Sequence, residues 1–156
     1  MTVHSDSVPG RIYFARAIDY RNHDEIRSSF DAAAKALEVH GFEVVDPTAS
    51  LAGWEIVDGS VVPSGVEYGQ IVEGELSQLR DCDLLLVDMS IPNHTYFGCI
   101  AEIVYAHLWK MPVAILVSDS SMKTRPWIQY HADIVSTEWS EIVAWVGALA
   151  GPGQTR

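Results

Sequence analysis

The apolar positions of this chain fall into short runs separated by helical stripes. Arg11 to Ala17 (RIYFARA) has the character of a first strand and follows a polar stretch that ends on Pro9-Gly10. From Asp24 to His40 the spacing changes. Ile26, Phe30, Ala33, Ala34 and Leu37 fall at i, i+4, i+7, i+8 and i+11, which is one apolar stripe of helical period. Gly41 stops this helix. Phe42 to Val45 predicts a second strand, closed by Asp46-Pro47. Thr48 to Gly65 has no clear period and several Gly, Ser and Pro, and it predicts a long connecting loop of the functional or mobile kind. Val66 to Arg80 returns to helix, with Ile71, Leu76 and Leu79 inward. Asp83 to Val87 carries a continuous apolar run and predicts a strand covered on both faces. Gly98 to Trp109 predicts a helix, Pro112 to Val117 a fourth strand, Ala132 to Ser136 a fifth, and Glu138 to Leu149 a closing helix.

Strands alternating with helices imply an α/β domain with a parallel sheet and right-handed crossovers. The expected architecture is a flavodoxin-like or Rossmann-like three-layer sandwich around a mostly parallel five-stranded sheet. Residues 1–10 read as a flexible leader, 11–149 as a single domain and 150–156 as a tail. In such sheets ligands bind outside the carboxyl ends of the strands, where the strand order reverses. That directs attention to four loops: Arg16 to His23, Asp46 to Gly65, Asp88 to Gly98, and Ser118 to Gln129.

Composition narrows the partners. A chain of 156 residues fits one domain and buries enough surface to fold without a metal or disulfide. Its formal net charge of -11 argues against a nucleic-acid polymer or an anionic membrane surface, both of which need a basic footprint. A single nucleotide stays compatible, because one local pair of arginines can hold one phosphate. Cys82 and Cys99 have no metal-ligand spacing and read as reduced core thiols. The first ten residues lack an apolar signal segment, and no apolar run reaches the ~18 residues of a membrane span. A cytoplasmic location is the expectation.

The loop ends hold the candidate chemistry. There is no GxGxxG, no GK[ST], no GxSxG and no HExxH, which disfavours a dinucleotide cofactor, a Walker-type ATPase, a serine triad and a zinc site. No cofactor is expected. Tyr13, Arg16, Asp19 and Arg21 gather at one strand end, either as site residues or as a solvated loop beside a core tyrosine. Glu75 is either on a solvated helix face or a carboxylate that hydrogen-bonds a nucleobase. Asp88 is either a ligand-binding strand end or a loop cap. His94, Thr95 and Tyr96 precede the turn at Gly98, where backbone N–H groups can bind a phosphate or hydroxyl. Glu102 sits about one turn into an apolar helix, facing either solvent or a pocket. Trp54, Tyr68, Phe97 and Trp127 are candidates to stack a base, with packing as the plainer alternative.

Taken together these residues resemble the nucleoside 2-deoxyribosyltransferase family and its relatives that hydrolyse nucleotide N-glycosidic bonds. The resemblance runs roughly from Arg11 to Asp133. It rests on the IYF strand carrying Tyr13, on Glu75 eight positions before Asp83, and on a G-x-x-x-E-x-x-Y-A helix ending in K-x-P. The last element reads Gly98, Glu102, Tyr105, Ala106, Lys110 and Pro112 and is the most specific. The resemblance implies that Glu102 acts at the anomeric carbon, that Tyr13 holds its carboxylate, and that Glu75 protonates the leaving base. The chemistry is that of an oxocarbenium-like state between two carboxyl groups, and Glu75 would need burial to raise its pKa.

Three positions depart from the family pattern. Glu75 replaces the usual Asp, Tyr96 stands where transferases have Asp and nucleotide hydrolases Ser, and Ala15-Arg16-Ala17 replaces a glycine-bearing loop. The resemblance also implies a homodimer or higher oligomer, whose neighbouring subunit completes the site through the loop holding Arg125. Arg125 with Arg16 or Arg21 would favour a 5′-monophosphate. The substrates implied are a nucleoside or nucleotide and, for transfer, a free nucleobase acceptor. Two other readings are a nucleotide-sensing module without turnover and a receiver-like signalling domain. The second is disfavoured because Asp46 and Asp88 lack an acidic pair after the first strand.

Overall fold

The structure is a computed structural model, and it describes residues 10–49, 53–65 and 67–149. The expected leader (apart from Gly10), the tail and Val66 at the start of the expected second helix lie outside the described residues. Strand β1 is Arg11–Arg16 and helix α1 is His23–Glu38. Strand β2 is Glu43–Val45, and β3 (Trp54–Val57) and β4 (Ser60–Pro63) form an antiparallel hairpin. Helix α2 is Tyr68–Arg80, β5 is Leu84–Met89, α3 is Phe97–Leu108 and β6 is Val113–Val117. A short 3-10 turn at Met122–Thr124 leads into α4 (Pro126–His131), then β7 (Ile134–Ser136) and α5 (Trp139–Leu149).

The central sheet has five strands in the order β2-β1-β5-β6-β7, and every pairing is parallel. Period-2 alternation divides its side chains between two cores. Tyr13, Ala15, Leu85, Val87, Val113 and Ile115 pack with Leu79 of α2, Cys99, Ile103 and Ala106 of α3, and Ile128 of α4. Ile12, Phe14, Leu84, Leu86, Ala114 and Leu116 pack with Ala33, Ala34 and Leu37 of α1 and with Ile142 and Val146 of α5. The result is three layers. Because both faces are covered, β5 and β6 are apolar nearly throughout.

Local signals act where they are expected. Asn22 caps α1, its Oδ1 accepting the N–H groups of Asp24 at 2.9 Å and Glu25 at 3.2 Å. Asp24 and Glu25 complement the helix dipole there. The sheet order reverses between β1 and β5, with Arg16 opposite Asp88 at their carboxyl ends. No helix among the described residues is long and apolar enough to cross a membrane.

Two elements differ from the sequence expectation. The stretch read as a loop from Thr48 to Gly65 contains the β3–β4 hairpin, turned at Asp58-Gly59 where both residues have positive φ, 50° and 78°. That is the geometry of a tight two-residue hairpin. The connection after β6 also contains α4, a six-residue helix with Pro126 in its first turn.

Candidate active site

A cleft of about 530 Å³ opens at the reversal of strand order. Its lining includes Ala15 to Tyr20 from the end of β1 and the loop after it, Glu75 from α2, Asn93 to Gly98 before and at the start of α3, and Glu102 deeper on that helix. Trp54 of the hairpin supplies a wall.

Glu102 belongs to the buried face of α3, together with Cys99, Ile103 and Ala106, and is only 7% exposed. Tyr13 projects from the middle of β1 into the same core and is fully buried. Its hydroxyl donates to Glu102 Oε1 at 2.7 Å. Burial pushes the Glu102 carboxyl up to about 8, the Glu75 charge adds to this, and the Tyr13 hydrogen bond opposes it. Burial, and then the Glu102 charge, hold the Tyr13 phenol far above its ordinary value, so it stays a donor. Glu75 is pushed up to about 7 by burial and by the Asp19 charge, against a hydrogen bond from the Trp54 side chain. Asp19 is itself raised by burial, and His94 counters this. Two carboxyls in one cleft thus titrate as a pair in the neutral range.

The other expected residues divide. Asp19, Tyr96 and Gly98 line the cleft. A Cβ built on Gly98 meets nothing within 4 Å, so the glycine leaves open space above the helix start. The Tyr96 hydroxyl is engaged with its own loop, accepting from Ile91 N at 2.9 Å and donating to Ile91 O at 3.1 Å. It holds the 90s loop closed.

Arg16 borders the cleft, but its guanidinium turns to the opposite face of the sheet. There it pairs with Asp46 Oδ1 at 3.3 Å, donates to Ile26 O at 3.1 Å, and stacks near the Phe14 and Phe30 rings. The alternation that points Tyr13 at Glu102 points position 16 away. Arg21 Nη1 donates to Ala17 O at 2.8 Å, beside the cleft. Asp88 Oδ1 accepts Ser90 N at 2.9 Å, as a loop cap does. Arg125 is exposed at the N-cap of α4 and does not line the cleft.

Sequence reasoning named Trp54 only as an aromatic. Its contact with Glu75 depends on the hairpin, and the signal that was present is the Asp58-Gly59 turn. Ile71, expected inward on its helix, lines the cleft, and Ile18 and Val72, which share its apolar lining, carried no separate signal. Among the described residues no group of three or more His, Cys, Asp or Glu is placed to hold a metal ion.

Solved structures share this architecture. A 2-deoxyribosyltransferase from the psychrotolerant bacterium Bacillus psychrosaccharolyticus superposes with a TM-score of 0.64 at 16% identity, over 87% of this chain and 95% of that one. The chain has the fold of a 2-deoxyribosyltransferase. The Clostridium botulinum CMP N-glycosidase BcmB superposes with a TM-score of 0.56 at 14% identity, over 88% of this chain and 98% of that one. A response regulator receiver domain from Clostridium thermocellum gives 0.52 at 13% identity, over 90% and 93%. The sequence matches no protein-family model and no curated protein. The 2-deoxyribosyltransferase fold is therefore shared with a signalling domain, and the side chains of the cleft must separate the functions. A receiver site needs a pair of acidic residues after the first strand. Here that strand ends in Arg16, the loop after it carries Asp19 alone, and Asp46 is bound to Arg16 and Thr48.

Proposed function

We propose that this chain cleaves the N-glycosidic bond of a nucleoside or nucleoside 5′-monophosphate and passes the sugar to another nucleobase or to water. One observation carries the reading: the buried Tyr13–Glu102 hydrogen bond in a cleft that also holds the raised carboxyl of Glu75. The likeness in fold to a 2-deoxyribosyltransferase and a CMP N-glycosidase supports it.

In this mechanism Glu102 faces the anomeric carbon. As the C1′–N bond breaks, its electron pair goes to the departing base, which takes a proton from Glu75. The Glu102 carboxylate stabilises or bonds to C1′ while positive charge develops on the sugar. A second base or water then attacks C1′, and its proton returns to Glu75. In the chain alone burial raises both carboxyls, so each holds a proton more readily near neutral pH than a free carboxyl does. Positive charge on the sugar favours the ionised form of Glu102 and leaves Glu75 as the proton donor to the base. Tyr13 supports the ionised form through its hydrogen bond. The reaction needs no cofactor.

A homodimer or larger assembly belongs to the same reading. Phe97, Ile100, Tyr105 and Leu108 on α3 are exposed, as are Trp127 and Tyr130 on α4. Exposed apolar side chains gathered on one pair of helices are a candidate association surface. The deciding experiment is chromatographic. Nucleosides and 5′-monophosphates are incubated with and without a second free base, beside Glu102→Ala. Free base released without an acceptor, and absent in the variant, identifies hydrolysis. A new nucleoside formed only with an acceptor identifies transfer. Ligand binding with no product from any substrate rejects the proposal in favour of a sensing module.

A further inference from the structure

The β3–β4 hairpin is fastened on two sides. Along one, Tyr20 N donates to Val61 O at 2.8 Å, Val61 N to Arg21 O at 2.9 Å, and His23 N to Gly59 O at 2.8 Å. Ile18, Ile26 and Val61 form a small separate core there, against which Trp54 packs. Along the other, the hairpin meets α2 at Gly53. A Cβ at that position would lie 2.3 Å from Ile71 Cγ1, and φ is +77°. Only glycine combines that approach with that backbone. Ser64 N closes the base of the hairpin on Gly53 O at 2.9 Å.

This clamp places Trp54, half-buried, on the wall of the cleft that Glu75 also lines, because Gly53 beside it packs against Ile71, one turn before Glu75 on α2. From there the Trp54 side chain favours the ionised form of the Glu75 carboxyl. The indole has a single polar group, an N–H that only donates. Its partner is therefore a carboxyl oxygen, and the bond is stronger when that carboxyl is ionised.

Resting on the N-glycosidic reading above, we propose that Trp54 is a positioning residue for Glu75, aiming the carboxyl at the leaving base and stabilising the carboxylate left after proton transfer. When the C1′–N bond breaks, the base gains the bonding electron pair and the Glu75 proton. Glu75 becomes an anion beside Asp19. The Trp54 N–H, held on the same cleft wall by the hairpin, is a donor for that charge. The hairpin, absent from the sequence expectation, serves the acid rather than the sugar.

The test uses the full chain and two nucleosides with the same sugar. One carries an unmodified purine, which must be protonated to leave. The other carries the N7-methylated purine, a cationic base that leaves without a proton. Trp54→Phe keeps a ring in the wall and removes the N–H. On the unmodified nucleoside it is expected to lower kcat about tenfold with KM within about twofold. The upper limb of the pH profile should move to higher pH, because Glu75 then holds its proton longer. On the methylated nucleoside it should match wild type. In a Glu75→Gln background it should have no further effect. Trp54→His, which keeps a ring N–H, should recover most of the loss. Equal losses on both nucleosides, a loss additive with Glu75→Gln, or no recovery in Trp54→His would make Trp54 a packing residue and overturn the proposal. A wild-type chain that releases base from neither these nucleosides nor any nucleoside or 5′-monophosphate of the chromatographic panel, with or without a second base, overturns the N-glycosidic reading itself, so the two failures are distinct.

Discussion

The Tyr13 hydroxyl and Glu102 Oε1 lie 2.7 Å apart although 89 residues separate them in the chain. The contact joins the middle of β1 to the buried face of α3, so the orientation of the carboxylate is set by the sheet and not by a loop. Tyr13→Phe preserves the ring in the core and removes the donor. It is expected to lower kcat roughly 10- to 100-fold with little change in KM, on the scale of one lost donor at a site of developing charge. Release of free base, measured by chromatography, checks this. An unaltered kcat would remove Tyr13 from the mechanism.

Stability should fall as pH rises through the neutral range. Glu102 and Glu75 have folded-state values near 8 and 7, above the ordinary 4.5. Between 4.5 and those values the folded chain holds more protons than the unfolded one. Their contribution is complete below the ordinary value, is lost progressively toward pH 8, and changes no further above it. Glu102→Gln removes the larger part of this slope. At pH 9 it should be more stable than wild type by at least ~1.4 kcal/mol, the equivalent of one pKa unit, and close to wild type at pH 4.5. Urea midpoints at the two pH values measure it. A variant less stable than wild type at pH 9 would contradict the buried, raised carboxyl.

Asp46 is expected to matter for folding. Burial lowers the pKa of Arg16, and Asp46 opposes that effect at 3.3 Å. Asp46→Ala leaves a guanidinium that is 1% exposed without its counter-charge. The expected loss is about 3 kcal/mol, the scale for breaking a buried pair by removing one partner. Denaturant unfolding tests it, and a loss below about 1 kcal/mol would mean that Arg16 finds water or another partner.

The choice between nucleoside and 5′-monophosphate should depend on Arg21 and not on Arg16. Arg21 Nη1 is held on the carbonyl of Ala17, a cleft residue, whereas the Arg16 guanidinium lies on the other face of the sheet. Arg21→Ala is expected to reduce kcat/KM for a 5′-monophosphate at least about tenfold more than for the matching nucleoside. Arg125→Ala should do the same only where a second copy brings that residue to the cleft. Equal effects of Arg21→Ala on both substrates would separate Arg21 from the phosphate.

The sheet and the helices on its faces were legible because their signals are local and repeated. The stripe Ile26, Phe30, Ala33, Ala34 and Leu37 and the unbroken run Leu84 to Val87 each permit one structure. The hairpin was hidden because its strands have four residues each, and Glu55, Ile56 and Val57 are all exposed. No buried alternation existed to betray it, and the Asp58-Gly59 turn stood alone. In the cleft, Glu102 stood out as a charge among apolar neighbours. The engagement of Arg16 by Asp46 and of Tyr96 by Ile91 was not legible, since both depend on where the chain returns after a crossover or a turn.

The manner in which β3–β4 is fastened bears on redesign. Its grip on the segment from Tyr20 to His23 is made by main-chain groups, and its approach to α2 depends on the bare backbone of Gly53. The outward side chains of Glu55, Ile56 and Val57 take no part in either anchorage. The hairpin is therefore an exchangeable cassette. Its outer surface can be randomised while its seat stays intact, giving directed evolution a compact handle on the rim of the cleft.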